Sequence, residues 1–276
     1  MKKLLIFMLA AVMVFTLVAC GNDKTVTPED VENAAGEIAD AVTDSDLAYI
    51  TEKGSLIIGI TDYEPMNYRD DAGEWTGFDT EFALLVGEKL GVDVEFIEID
   101  WDNKQNELNS KSVDCIWNGM TLTDEVLASM ETTDPYVVNA QVVVMAADKV
   151  ADFADVDSLK DLTFAVEAGS AGEAALADNG LDNYTAVAAQ SDALMEVASG
   201  SADACVIDIT MANAMTGEGT SYANLTSGIS LTEEEYGIGF RKGSDAAAAV
   251  NDIIKALKAD GSLQALADKY ELTLVD

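Results

Sequence analysis

The sequence predicts an α/β protein whose mainly parallel sheets are flanked by helices. Three observations predict it. Short aliphatic runs alternate with amphipathic stretches from Ser55 onward. Within those stretches apolar residues recur at helical spacing, as Phe82, Leu85, Val86 and Leu90 do before the stop at Gly91. At 276 residues and 49% hydrophobic composition, the chain is long and apolar enough for two modest domains, each with its own core.

The elements follow in order. Leu56-Ile57-Ile58-Gly59-Ile60 reads as a buried strand, and the helix after it opens near Asp79, placed as its N-cap. Strand and helix recur as Val92 to Ile99, Asn103 to Ser110, and Val113 to Asn118. A second set begins after Val142-Val143-Val144-Met145. Thr163 to Val166 is a strand leading to Gly169-Ser170, and Ser170-x-x-Glu173 has the capping-box pattern that opens a helix. Ser191 is placed as the cap of a helix carrying Leu194 and Val197, and Ala204 to Ile207 is the next strand. Tyr236 to Phe240 gives a late strand, followed by helices over Ala247 to Leu257 and Leu263 to Tyr270.

Charge and composition exclude several functions. With 15 Lys+Arg against 51 Asp+Glu, the formal charge of −36 repels phosphate backbones, so no nucleic-acid partner is expected. His is absent, which removes the usual general base near neutral pH and the commonest metal ligand. No metal and no cofactor is expected.

Met1-Lys2-Lys3 followed by an apolar stretch to Val18, interrupted only by Thr16, reads as a signal peptide over residues 1–19. The apolar run is shorter than the roughly 18–20 residues a membrane span needs. Leu17-Val18-Ala19-Cys20 followed by Gly21 resembles the bacterial lipobox, which implies a lipid on Cys20 and a protein tethered to the outer face of the cell membrane. Residues 20–53 then form an acidic tether, with Thr27-Pro28-Glu29-Asp30 as a helix start. Cys115 and Cys205 each sit in an apolar strand-like run and read as buried thiols.

Gly77-Phe78-Asp79-Thr80-Glu81-Phe82, Trp101-Asp102, Asp114 to Thr123 and Asp134-Pro135-Tyr136 resemble, in order and spacing, the polar-amino-acid-binding proteins of ABC importers, solute-binding family 3. Val166 to Ser170, Ser201 to Asp208, Tyr236 to Gly239 and Lys242 to Asp245 continue the resemblance. It implies a two-lobed fold of the type II periplasmic-binding kind, with lobe one at 54–142 and 234–276, lobe two at 143–233, and crossings near 139–145 and 231–236. It further implies a monomer that hands a polar amino acid or related amine to a permease and ATPase.

The resemblance also implies a site. Trp101 would form an aromatic wall, Tyr63 a lid, Asn118, Gly119 and Thr121 hydrogen-bonding positions, and Asp208 the partner of a ligand ammonium at a strand's C-terminal edge. Ser170 and Ala171, opening a helix, would receive an anionic group on their backbone N–H. One departure stands out. Relatives follow the Thr-x-Thr turn with an arginine that clamps the ligand carboxylate, and here Val126 holds that position. Either Lys104, one helical turn beyond Trp101, supplies the missing charge, or the ligand is an amine without a carboxylate. Glu167 joins Lys104 as a further candidate ligand-binding residue, and two other roles suit the same scaffold: ligand sensing for a membrane kinase, and a dehydratase with Glu167 and Asp208 as cleft acids.

Overall fold

A computed structural model describes residues 45–276. The expected signal peptide, Cys20 and most of the tether lie outside the described residues. Helix α1 (Asp46–Lys53) belongs to a unit of its own, and residues 54–276 form a second compact unit. The second unit holds every strand of the described residues.

Strand β1 (Ser55–Ile60) has the buried central character its aliphatic run predicts, with Leu56, Ile58 and Ile60 inaccessible to solvent. A short hairpin, β2 (Tyr68–Arg69) and β3 (Trp75–Thr76), precedes helix α2 (Phe78–Leu90), which ends on Gly91 in the left-handed conformation. The N-cap of α2 is Gly77, not Asp79. Asp79 lies in the first turn with no solvent exposure and reaches a distant loop, where its Oδ2 accepts from Gly119 N (2.7 Å) and Tyr136 Oη (2.9 Å). Strand β4 (Asp93–Glu98), helix α3 (Lys104–Asn109), strand β5 (Cys115–Ile116), helix α4 (Asp124–Ser129) and strand β6 (Met130–Thr132) complete the first pass.

The chain then changes sheets. Strand β7 (Val137–Asn139) is followed by β8 (Gln141–Ala146), which already lies inside the second sheet, so the crossing falls at Asn139 to Gln141, at the start of the expected 139–145 stretch. The second sheet adds β9 (Phe164–Glu167), helix α5 (Ala171–Asp178), β10 (Tyr184–Val187), helix α6 (Gln190–Ser199), β11 (Ala204–Asp208), helix α7 (Ile209–Met215) and β12 (Leu225–Ser230). The N-cap of α6 is Ala189 without a side-chain bond, so Ser191 does not cap it. The chain returns through β13 (Glu234–Tyr236) to β14 (Gly239–Arg241), then closes with α8 (Ala246–Ala259) and α9 (Ser262–Lys269).

Two five-stranded sheets result, ordered β4-β1-β5-β14-β6 and β10-β9-β11-β8-β12. In each, three strands run parallel, and the strands the chain adds beside them pair antiparallel. The sheets are therefore mixed around a parallel half. Between them β7 and β13 form a two-stranded antiparallel ribbon, pairing Asn139 with Glu234 and Val137 with Tyr236.

Each sheet has its own core. Val143, Phe164, Val166, Leu176 and Val206 pack in the second, and Leu108, Val113, Ile116 and Met130 in the first. Phe78, Phe82, Trp117 and Tyr136 add an aromatic cluster with edge and stacked contacts at 4.9–6.2 Å, each ring contributing about 1.5–3 kcal/mol through burial. Cys115 and Cys205 are buried in different sheets and are not bonded to each other.

Candidate functional site

A cavity of about 480 Å³ opens between the two sheets. Its walls come from Trp101, Lys104 and residues 118–126 on the first side, and from the ends of β9 and β11 with the start of α5 on the second. Gln141 and Glu234, next to and within the connecting ribbon, close it. This is the C-terminal edge of the parallel strands in both sheets, where side chains and helix N-termini converge.

Trp101 is 7% exposed, packs with Leu108, Val126 and Met130, and presents its remaining surface to the cavity. It is core and wall at once. Lys104 Nζ lies 5.1 Å from the Trp101 ring centre and donates to the carbonyls of Gly169 (2.8 Å) and Trp101 (3.3 Å). Burial lowers its pKa below the ordinary lysine value, against the pull of Glu167 and other carboxylates. The Gly169 bond joins the two walls, because Lys104 and Gly169 belong to opposite sheets.

Helix α5 is capped as its sequence predicts: Ser170 Oγ accepts from Glu173 N (3.2 Å). Glu173 reaches one residue further back than the capping box requires and accepts from Gly169 N (2.7 Å). Ser170 and Ala171 line the cavity at this helix start, beside the Lys104 ammonium.

The opposite chemistry gathers around the ribbon. Asp208 is 3% exposed and sits at the N-cap position of α7, but its carboxylate does not cap the helix. Oδ1 accepts from the amides of Asn139 and Gln141, and Oδ2 from that of Gln190. Glu234 Oε2 accepts from Thr121 Oγ1 (2.9 Å), Gln141 Nε2 (3.0 Å) and Asn139 Nδ2 (3.1 Å). Glu167, at the end of β9, is 2% exposed. Asp208, Glu234 and Glu167 thus face one cavity, which Asp102, Asp124, Glu125 and Asp178 also line, with Lys104 its sole lining base among the described residues.

Burial pushes the Glu167 carboxyl up to about 8, with Asp208 adding to the rise. Burial, then Glu234, raises Asp208 to about 6 against the amide bonds. Burial likewise raises Asp79 to about 7. The unfolded chain releases these protons near pH 4–4.5, whereas the folded chain retains them, so folding binds protons across that interval and loses stability as pH rises. The melting temperature of the ligand-free protein is therefore expected to fall between pH 5 and 8.5, by roughly 2–4 °C for each kcal/mol lost. Glu167→Gln should flatten the upper part of that curve. A melting temperature that climbs over this range in calorimetry contradicts the arrangement.

The structure sorts the other predicted residues. Tyr63 does not line the cavity: it is 1% exposed, and its hydroxyl is bonded to Thr210 Oγ1 and Tyr236 Oη, both at 2.5 Å. Asn118 lines the cavity, but its amide holds Thr61, accepting from Thr61 N (2.9 Å) and donating to Thr61 O (3.0 Å). Gly119 also lines it with its N–H given to Asp79; at φ +55°, a Cβ would meet the Tyr63 ring at 2.7 Å. Thr121 lines the cavity with its hydroxyl turned to Glu234. Val126, 6% exposed, is apolar wall beneath Trp101.

Glu234, Gln141 and Gln190 belong to the site and were not predicted. Glu234 lies in Glu233-Glu234-Glu235, which reads as a solvated charge run. The available signal was position, since the segment is one of the two crossings, and strand alternation aims one of three successive residues into the cleft.

Gly169 records how closely the walls approach. At φ +68°, a Cβ here would stand 2.7 Å from Asp102 Cα on the other wall. Gly169→Ala is expected to hold the lobes apart, weakening ligand affinity by roughly tenfold or more while the melting temperature of the empty protein changes by only a few degrees. Unchanged affinity in calorimetry would show that this approach is irrelevant to binding.

Comparison with known proteins decides the family. The model of the bacterial extracellular solute-binding proteins, family 3, matches residues 56–273. The chain belongs to that family. Among curated family relatives, the L-cystine-binding protein TcyA of Bacillus subtilis (strain 168) is 30% identical over 279 residues, covering 98% of this chain and 97% of its own. The L-cystine-binding protein TcyJ of Escherichia coli (strain K12) is 29% identical over 225 residues, covering 80% and 84%. Solved structures share the two-lobed fold. The ancestral amino acid-binding protein AncCDT-1, a precursor of cyclohexadienyl dehydratase, superposes with a TM-score of 0.75 at 30% identity, over 82% of this chain and 99% of its own. A Streptococcus pneumoniae ABC uptake transporter substrate-binding protein with bound histidine gives 0.75 at 26%, over 83% and 96%.

Proposed function

We propose that this chain is the extracytoplasmic, lipid-anchored binding component of an ABC importer, and that its cleft captures a polar, amine-bearing solute of the amino-acid class. The observation that carries the ligand class is the polarity of the cavity: Asp208, Glu234 and Glu167 line it together, while Lys104 and the α5 N-terminus mark one separate place for an anionic group. An ammonium seats beside the Asp208–Glu234 pair, whose amide partners are already oriented. A carboxylate seats at Ser170 and Ala171 with Lys104 beside them, a point charge in place of the arginine clamp. The family supports capture without turnover, and the relatives supply the amino-acid class, since TcyA and TcyJ are cystine-binding by name and the Streptococcus pneumoniae protein holds histidine. Export and anchoring rest on the leader and on Cys20.

A panel of α-amino acids and of the matching decarboxylated amines, read by the rise in melting temperature, tests this reading. Amino acids are expected to stabilise the protein, and Lys104→Ala to weaken the best of them by about tenfold or more. If amines stabilise it and amino acids do not, the second reading holds, favoured by the apolar Val126 at the clamp position. Stabilisation by neither class sinks the proposal.

A further inference from the structure

Among the carboxylates that line the cavity, Glu167 alone keeps a fully buried oxygen, Oε1, without a hydrogen-bond partner among the described residues. The oxygens of its neighbours are better served: Asp208 accepts three amides, and Glu234 accepts two amides and a hydroxyl. Lys104 does not answer Glu167 by contact, because its ammonium is committed to the carbonyls of Gly169 and Trp101. A buried polar atom with no partner is costly unless something arrives to fill the place. Glu167 ends a strand whose next residues, Ala168 and Gly169, lead directly to the start of α5, and its side chain is shut away from solvent.

We infer that Glu167 is a second cation subsite, so that the ligand carries two cationic groups, one beside the Asp208–Glu234 pair and one at Glu167 Oε1. This rests on the amine-capture reading and narrows it to solutes with two ammonium or guanidinium groups. The empty site also has the protonation such a subsite needs. Asp208 and Asp192 face Glu167 and favour its neutral form, Lys104 and the Thr61 hydroxyl oppose them, and burial dominates, so near pH 7 the carboxyl keeps its proton. An arriving cation makes the charged form the favourable one. The dication and the protonated carboxyl then give the complex and one free proton, with no other reactant.

Titration calorimetry on the full chain tests the inference with matched probes: diamino acids with one to four side-chain methylenes, L-arginine, L-cystine and 1,4-diaminobutane against L-norvaline and L-glutamine. At least one two-cation probe is expected to bind about tenfold or more tighter than either one-cation probe, and Glu167→Gln to weaken the two-cation probes far more than the one-cation probes, so that the advantage disappears. Repeating the titration in two buffers of different ionisation enthalpy should show proton release by the wild type that Glu167→Gln abolishes. The melting temperature of the empty variant should not fall, because the substitution removes a buried acid. One-cation probes binding as tightly as the best dication, or Glu167→Gln weakening both kinds alike, overturns the inference while capture stands. If no probe of either kind binds, capture itself fails.

Discussion

Asp208→Asn is expected to lower the affinity for an amine-bearing solute by on the order of a hundredfold, or about 3 kcal/mol, while the protein still folds. The carboxylate organises three side-chain amides and shares the ribbon side of the cavity with Glu234. The asparagine keeps the shape and most of the acceptor capacity but removes the charge an ammonium would meet, and charge-assisted bonds are the strong ones. One amide contact becomes donor to donor, opposite Gln190, at about 1–2 kcal/mol of stability. That loss is partly offset because a buried acid held at about 6 no longer has to ionise at neutral pH. Calorimetry should therefore show affinity collapsing with a small change in melting temperature. Wild-type affinity in Asp208→Asn would remove Asp208 from the site.

Arg241→Met is expected to do the opposite, destabilising the protein by about 3–5 kcal/mol without touching the cavity. Asp114 has no solvent exposure; its Oδ2 accepts from Ile57 N (2.8 Å), and its Oδ1 faces Arg241 Nη2 at 3.7 Å. Arg241 Nη1 donates to the carbonyls of Val113 (2.8 Å) and Leu108 (3.2 Å), tying β14 to the segment before β5. Removing the guanidinium takes a counter-charge from the buried Asp114 carboxylate and a donor from the Val113 carbonyl, which corresponds to a melting temperature lower by roughly 6–20 °C for a protein of this size. Adding Asp114→Asn should recover part of that loss, because the uncompensated charge goes with it. A single variant that melts within a degree or two of the wild type would show the pair to be energetically idle.

The elements were largely legible in the sequence, because they depend on neighbours a few residues apart. The run of aliphatics in β1, the helical face of α2 and its stop at Gly91, and the Ser170 cap of α5 all arise from local periodicity and local hydrogen bonding. The cleft was legible in part. Trp101, Lys104, Thr121, Ser170, Ala171 and Asp208 do line one cavity, although they come from both sheets. Tyr63, Asn118 and Asp79 were legible as polar groups near the site, but not as the internal fastenings they are.

That difference has one physical reason. A polar side chain's role depends on which donors and acceptors lie within about 3 Å of it, and for these residues the partners come from 40 to 173 positions away: Gly119 for Asp79, Thr61 for Asn118, Thr210 and Tyr236 for Tyr63. By itself the sequence determined an acidic α/β chain with two sets of strand and helix. Only the tertiary structure decided which carboxylates share a cavity, that Glu234 joins them through the pairing of two crossings, and that Glu167 is buried there with one oxygen unpartnered among the described residues.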